Sequence, residues 1–188
     1  MYEQYDALIF DMDGTILDTE PTHRKAWLQV LSRYGMSFDE AKMTGYNGSP
    51  TWRLAEAIIN EHQHDMDPHQ LAAEKTAAVK TMLLDDVRVL PLVEVVKTWH
   101  GRRPMAVGTG SQHAMAEALL KQSGILHYFS AIVGADDVKE HKPHPETFLR
   151  CAQLLGVPPE KCLVFEDADF GLQAAQAAGM DVVDVRLL

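Results

Sequence analysis

Cysteine is scarce in this chain: two residues in 188, Cys151 and Cys162. Both stand in apolar surroundings, so no disulfide framework is expected and the chain reads as a reduced, cytoplasmic protein. Positive charge is short as well, with 17 Lys and Arg against 27 Asp and Glu and a formal net charge of −10. That excludes a basic face for nucleic acid or for an anionic membrane, and any anionic ligand must be attracted locally. No apolar run approaches the ~20 residues that span a bilayer, and the opening Met1-Tyr2-Glu3-Gln4 lacks the basic start of a secretory signal. Repeats and low-complexity tracts are missing too. What is present, 46% hydrophobic residues over this length, suits a monomer with one core, with room for an insertion.

Ala7-Leu8-Ile9-Phe10 is a short apolar run that predicts a fully buried strand. Helical patterns follow it. Ala26, Trp27, Val30, Leu31 and Tyr34 recur at helical spacing, and Gly35 makes the stop. Ser49 and Pro50 read as an N-cap and first-turn pair ahead of Leu54, Ile58 and Ile59. Asp67 and Pro68 repeat that signal ahead of Leu71, Ala72, Val79, Met82 and Leu83. The span 19–88 is therefore expected to be all helical. From Pro91 on, helix and strand alternate: a helix to Gly101, then strands at 104–108, 131–134, 162–165 and 182–185 with helices between. Such alternation predicts an α/β fold, a doubly wound, Rossmann-like core with a parallel five-stranded sheet. The core takes residues 1–18 and 89–188, and 19–88 form a helical cap inserted after the first strand.

Open parallel sheets bind ligands beyond the carboxyl ends of their strands, and the polar residues gather there. Asp11 and Asp13 follow the first strand, one residue apart, with Gly14 and Thr15 next. Two carboxylates this close repel unless a cation sits with them, and Mg²⁺ with its oxygen ligands is the natural occupant. Thr109-Gly110-Ser111 follow the second strand of the core, and Glu166-Asp167 follow Phe165. Lys142, with Lys139, is the cation of these strand ends. Asp136 and Asp137 are explained by a sheet-edge turn. Acidic residues for a metal, small hydroxyls for phosphate oxygens and a lysine compose a phosphoryl-transfer site.

The chain resembles the haloacid dehalogenase superfamily over its whole length, in four ordered motifs. Asp11-Met12-Asp13-Gly14-Thr15 is similar to the first, Thr109 to the second, Lys142 in Lys-Pro-His-Pro to the third and Glu166-Asp167 to the fourth. The helical insertion resembles the cap of the β-phosphoglucomutase-like group. The resemblance implies a Mg²⁺-dependent phosphatase of small sugar phosphates, of the fructose 1-phosphate kind, with a β-phosphoglucomutase-type phosphomutase as the alternative. It makes Asp11 the nucleophile, forming an aspartyl phosphate, and Asp13 the general acid and base. Mg²⁺ would be held by the Asp11 side chain, the Asp13 carbonyl and Asp167, with Glu166 nearby. Thr109, Gly110, Ser111 and Lys142 would bind the phosphoryl group, and His23 matches a cap-hinge position near the leaving oxygen. Relatives often carry Ser where this chain has Ala168, so no hydroxyl is assigned there. A mutase of this group carries Arg after a cap Gly, and Gly45-Tyr46-Asn47-Gly48 has none; Arg53 lies further on.

Other residues read more simply. His62, His64 and His69 fit a solvated surface better than a metal cluster. His141 and His144 shape a proline-rich turn. Trp27 and Trp52 fit packing, and Phe170 with Gly171 starts a helix. A receiver-type signalling module is a poor match, since it has no large helical insertion after its first strand. Dehalogenation is disfavoured because Asp13 supplies the second carboxylate that phosphoryl transfer to an alcohol needs.

Overall fold

The computed structural model describes residues 2–47 and 49–188. Met1 and Gly48 lie outside the described residues, as do the side chains of residues 83–86, Leu83 of the predicted helical stripe among them. In chain order, β1 (Ala7–Phe10) and β2 (Leu17–Asp18) precede α1 (Glu20–Arg33), α2 (Glu40–Thr44), α3 (Thr51–His62) and α4 (Pro68–Asp86). Then come β3 (Arg88–Val89), α5 (Val93–Trp99), β4 (Met105–Gly108), α6 (His113–Gln122) and β5 (Ala131–Val133). The chain closes with α7 (Glu146–Leu155), β6 (Cys162–Glu166), α8 (Asp169–Ala177) and β7 (Asp181–Asp184).

Five of these strands make a parallel sheet in the order β5-β4-β1-β6-β7. All four residues of β1 are fully buried. Leu8 and Phe10 share one hydrophobic cluster with Val96, Trp99 and Leu119 of α5 and α6, while Ala7 and Ile9 join Phe148, Cys151 and Ala174 of α7 and α8. Burial on both faces is why the strand is an unbroken apolar run rather than an alternating one. Phe10 and Phe165, paired in register, stack with ring centroids 4.8 Å apart.

The chain runs outward from β1 to β4 and β5, then crosses back to β6 on the other side of β1. Strand order therefore reverses beside β1, and the crevice at the carboxyl ends there is where ligands bind in such sheets. Pairing continues one residue past β1, since the Asp11 amide donates to the Phe165 carbonyl at 2.9 Å. Asp11 is thereby set beside Glu166.

Between β1 and β4 the helices α1, α3 and α4 pack on one another through Trp27, Val30, Leu31, Ile58, Leu71 and Val79. The Asp67 cap holds as predicted, its carboxylate accepting from the His69 amide. Two expectations need correction. Pro50, not Ser49, caps α3, and the Ser49 hydroxyl turns back to the Tyr46 carbonyl. The five-residue α2, capped by Asp39, adds a short helix between α1 and α3. The span 19–88 is also not wholly helical: Arg88 lies in β3, which pairs antiparallel with β2. That two-stranded ribbon draws the two ends of the insertion together. Strands of two residues carry no readable period, which hid them. Among the described residues, no helix is long and apolar enough to cross a membrane.

Candidate active site

Asp11 is almost fully buried and faces Lys142, whose Nζ donates to Asp11 Oδ1 at 2.7 Å and to Glu166 Oε2 at 2.8 Å. Lys142 is itself buried over the Phe148 ring, 4.6 Å from its centroid. The far oxygen of Glu166 accepts from the amides of Asp167 and Ala168, which clamps the turn into α8. Two glycines make room. Gly14, at φ +85°, would place a Cβ 2.3 Å from Asp167 Oδ2, and Gly171 on α8 would place one 1.8 Å from Glu166 Oε2. Gly171 thus does more than start a helix; it is the floor against which Glu166 lies.

Asp11, Glu166 and Asp167 bring carboxylate oxygens within 4.8 Å of one another. Lys142 balances only part of that charge. Burial, and then the Glu166 charge, pushes Asp11 well above the ordinary carboxylate range against the pull of Lys142. The same two causes push Asp167 up to about 7, although Thr15 donates to it at 3.0 Å. Burial works against the charge on Lys142, but Asp11 and Glu166 more than offset it and raise the ammonium above its usual value. Three crowded carboxylates, hard oxygen donors with unbalanced charge, fit a divalent cation.

Asp13 points the other way. Its Oδ1 accepts from Thr19 at 2.5 Å and lies 3.2 Å from His23 Nε2, while its Oδ2 accepts from Ser111 at 2.9 Å and Thr109 at 3.2 Å. Thr19 occupies the N-cap of α1 yet makes no cap bond, because its hydroxyl is committed to Asp13. Burial raises the Asp13 carboxyl, but these donors, His23 foremost, outweigh it and hold the group below its usual range. Behind His23 stands Lys75 of α4, its Nζ against His23 Nδ1. An ammonium has only donors, so Nδ1 carries the lone pair and Nε2 the proton that faces Asp13. Burial and the Lys75 charge keep that imidazole below its normal pKa, hence neutral.

Lys75 was not among the residues singled out by motif. It is 5% exposed, and burial pushes its ammonium down from 10.5 to about 8. Between those values the unfolded chain holds a proton that the folded chain has released. Folding therefore bears the full penalty below pH 8, and stability recovers as pH rises toward 10.5. Lys75→Met is expected to stabilise the protein at pH 7 by up to about 3 kcal/mol, while slowing turnover by freeing His23. Urea unfolding at pH 7 and pH 10 checks this: the gain must shrink at the higher pH.

The site residues expected from sequence converge. Asp11, Asp13, Gly110, Ser111, His23 and Asp167 line one cavity of about 130 Å³, with Thr109 and Lys142 buried against it. Tyr46 and Asn47 of the Gly45–Gly48 stretch also line it, Gly48 lying outside the described residues, and Lys75 and Arg24 add cap cations that sequence reading missed. Arg53 turns from the cavity to donate to the Lys142 carbonyl at 2.9 Å. His62, His64 and His69 are exposed, and among the described residues the acidic trio alone gathers as a metal-binding group. Asp136 and Asp137 serve the turn, accepting from the amides of His113 and Gly134.

A doubly wound sheet with this acidic centre beneath inserted helices is the build of a capped α/β hydrolase. Residues 5–179 match the family model for haloacid dehalogenase-like hydrolases, and the chain belongs to that family. It is 69% identical over 188 residues to fructose-1-phosphate phosphatase YqaB of Escherichia coli, with both chains fully covered. It is 32% identical over 180 residues to a phosphorylated carbohydrates phosphatase of Thermotoga maritima, covering 94% of this chain and 82% of that one. Among solved structures, the β-phosphoglucomutase of Clostridium difficile matches with a TM-score of 0.83 at 27% identity, covering 95% of this chain and 83% of the other.

Proposed function

We propose that the protein is a Mg²⁺-dependent phosphatase of small sugar phosphates, fructose 1-phosphate or a close analogue, acting through an aspartyl phosphate on Asp11. One observation carries the reading: Asp11 and Asp13 open into the same cavity, the first beside Lys142 and the second beside hydroxyl donors and His23. In this reading residues 19–88 are a lid over a catalytic core formed by 1–18 and 89–188. The similarity to a fructose-1-phosphate phosphatase supports the substrate class.

The ionised Asp11 attacks phosphorus as the bond to the sugar oxygen breaks; Asp13, held as a carboxylate in the free site, takes up a proton from solvent as substrate binds and gives it to that oxygen. Asp13 then takes a proton from the water that attacks the aspartyl phosphate, which frees Asp11. Lys142 holds the Asp11 carboxylate in place, and Thr109, Gly110 and Ser111 offer donors to the transferred group. Asp11, Asp167 and the Asp13 carbonyl would hold Mg²⁺, with Glu166 nearby, and the bound ion neutralises charge between anionic nucleophile and anionic substrate. Lys75 and Thr19 fix His23 and Asp13 at the leaving-group side.

A phosphomutase must clamp a second phosphate at the distal end of the cavity, ideally with an arginine. Arg53 is committed to the Lys142 carbonyl, and Arg24, which does line the cavity, is paired with Glu20 at 3.1 Å and Glu40 at 3.0 Å. The distal lining of Tyr46, Asn47, Ser49 and Thr51 suits neutral sugar hydroxyls instead. Phosphate release is expected from fructose 1-phosphate, lost with EDTA and restored by Mg²⁺, and far slower from a phosphoprotein that the lid keeps out. With β-glucose 1-phosphate and a trace of bisphosphate, free phosphate should outpace glucose 6-phosphate. Faster glucose 6-phosphate would establish the mutase.

A further inference from the structure

The hydrogen bond from Arg53 to the Lys142 carbonyl joins the insertion to the core at a point outside the cavity. Arg53 stands in the first turn of α3, two residues after Thr51 and four after Ser49, which line the cavity. Its Nη1 reaches the carbonyl at 2.9 Å, across 89 residues of sequence, in the loop between β5 and α7. The guanidinium also lies 5.6 Å from the Trp52 ring, and His141 beside it is held below its ordinary pKa first by burial and then by the Arg53 charge.

Which partner the bond holds is decided by how firmly each is held otherwise. The Lys142 ammonium has two buried carboxylates at 2.7 and 2.8 Å and a ring beneath it, so its position does not depend on Arg53. Ser49 and Pro50 are held by bonds within the insertion, the Ser49 amide and hydroxyl on the Tyr46 carbonyl and the Arg53 amide on the Pro50 carbonyl, whereas Arg53 Nη1 ties this entry to α3 onto the core. A charged donor on a core carbonyl is therefore what keeps the distal lining over the cavity.

We propose that Arg53 is a positioning residue for substrate specificity, a clasp that fixes the entry to α3, Ser49 to Thr51, over the sugar end of the cavity. This rests on the phosphatase reading above. It reassigns the cap arginine from phosphate recognition to seam closure. A substrate with a sugar to hold needs the clasp, and one without a sugar does not.

The test compares fructose 1-phosphate with acetyl phosphate, which has nothing to place against the distal lining. Arg53→Met should lower kcat/KM for fructose 1-phosphate roughly ten- to a hundredfold, the range of one hydrogen bond with a charged partner. Acetyl phosphate should stay within about twofold, and Arg53→Lys should recover part of the loss. Amide hydrogen exchange on the metal-free protein supplies a readout without activity: the amides of Ser49, Thr51 and Trp52 should exchange faster in Arg53→Met, with the β6 core unchanged. Equal losses on both substrates would overturn the clasp and make Arg53 a support for Lys142. No change in specificity or exchange would overturn it outright. Should the wild-type protein fail to hydrolyse fructose 1-phosphate, the phosphatase reading falls, and exchange alone decides the clasp.

Discussion

Asp11→Asn is expected to reduce phosphate release from sugar phosphates to background, a loss of roughly 10⁴–10⁶-fold, as removal of a nucleophile does in other covalent catalysts. An amide cannot form the aspartyl phosphate. The fold should survive, because burial and Glu166 already drive the Asp11 carboxyl toward its neutral form, and Asn keeps both shape and an acceptor for Lys142. Lys142 retains Glu166 at 2.8 Å, so no charge is left alone. The metal-free variant should unfold at or slightly above the wild-type temperature, since one of three crowded carboxylates is gone. Thermal unfolding and a phosphate-release assay decide it together. A folded Asp11→Asn protein with more than a hundredth of wild-type turnover would remove Asp11 as nucleophile.

The core half of this site was legible because its residues stand directly after strands whose apolar runs announce themselves. Ala7–Phe10 delivers Asp11, Met105–Gly108 delivers Thr109 to Ser111, and Cys162–Glu166 delivers Asp167. Two-sided burial makes such strands continuous and easy to find, and a parallel sheet then dictates which ends meet. The cap half was harder. Thr19 stood in the sequence only as the first residue of the predicted helical span, and only the geometry reveals that its hydroxyl serves Asp13 instead of the helix. Gly171 had no turn to justify it, and its role is a contact with Glu166 from the next helix.

Lys75 did leave a trace in the sequence. It lies four residues after Leu71 and four before Val79, inside the buried stripe of α4. A lysine on a core stripe demands a partner, and that demand was the available signal. Arg53 left none, because its partner is a backbone carbonyl 89 residues away.

Asp13→Asn should separate the two halves of the reaction. The amide oxygen can still accept from Thr19 and face His23, and its NH₂ can donate to the hydroxyl oxygens of Thr109 and Ser111, so the network around residue 13 persists. What is lost is the proton. With a sugar phosphate, the leaving alkoxide goes unprotonated and kcat should fall about 10²–10⁴-fold, the usual worth of general acid–base help. With p-nitrophenyl phosphate the leaving phenolate needs no proton, so Asp11 can still be phosphorylated. Hydrolysis of that aspartyl phosphate then lacks its base. A burst of nitrophenol approaching one per active site is therefore expected, followed by slow turnover, whereas the wild-type protein should show no comparable lag between product and phosphate. A loss below about threefold on fructose 1-phosphate, or slow turnover of p-nitrophenyl phosphate with no burst, would take Asp13 out of the proton-transfer role.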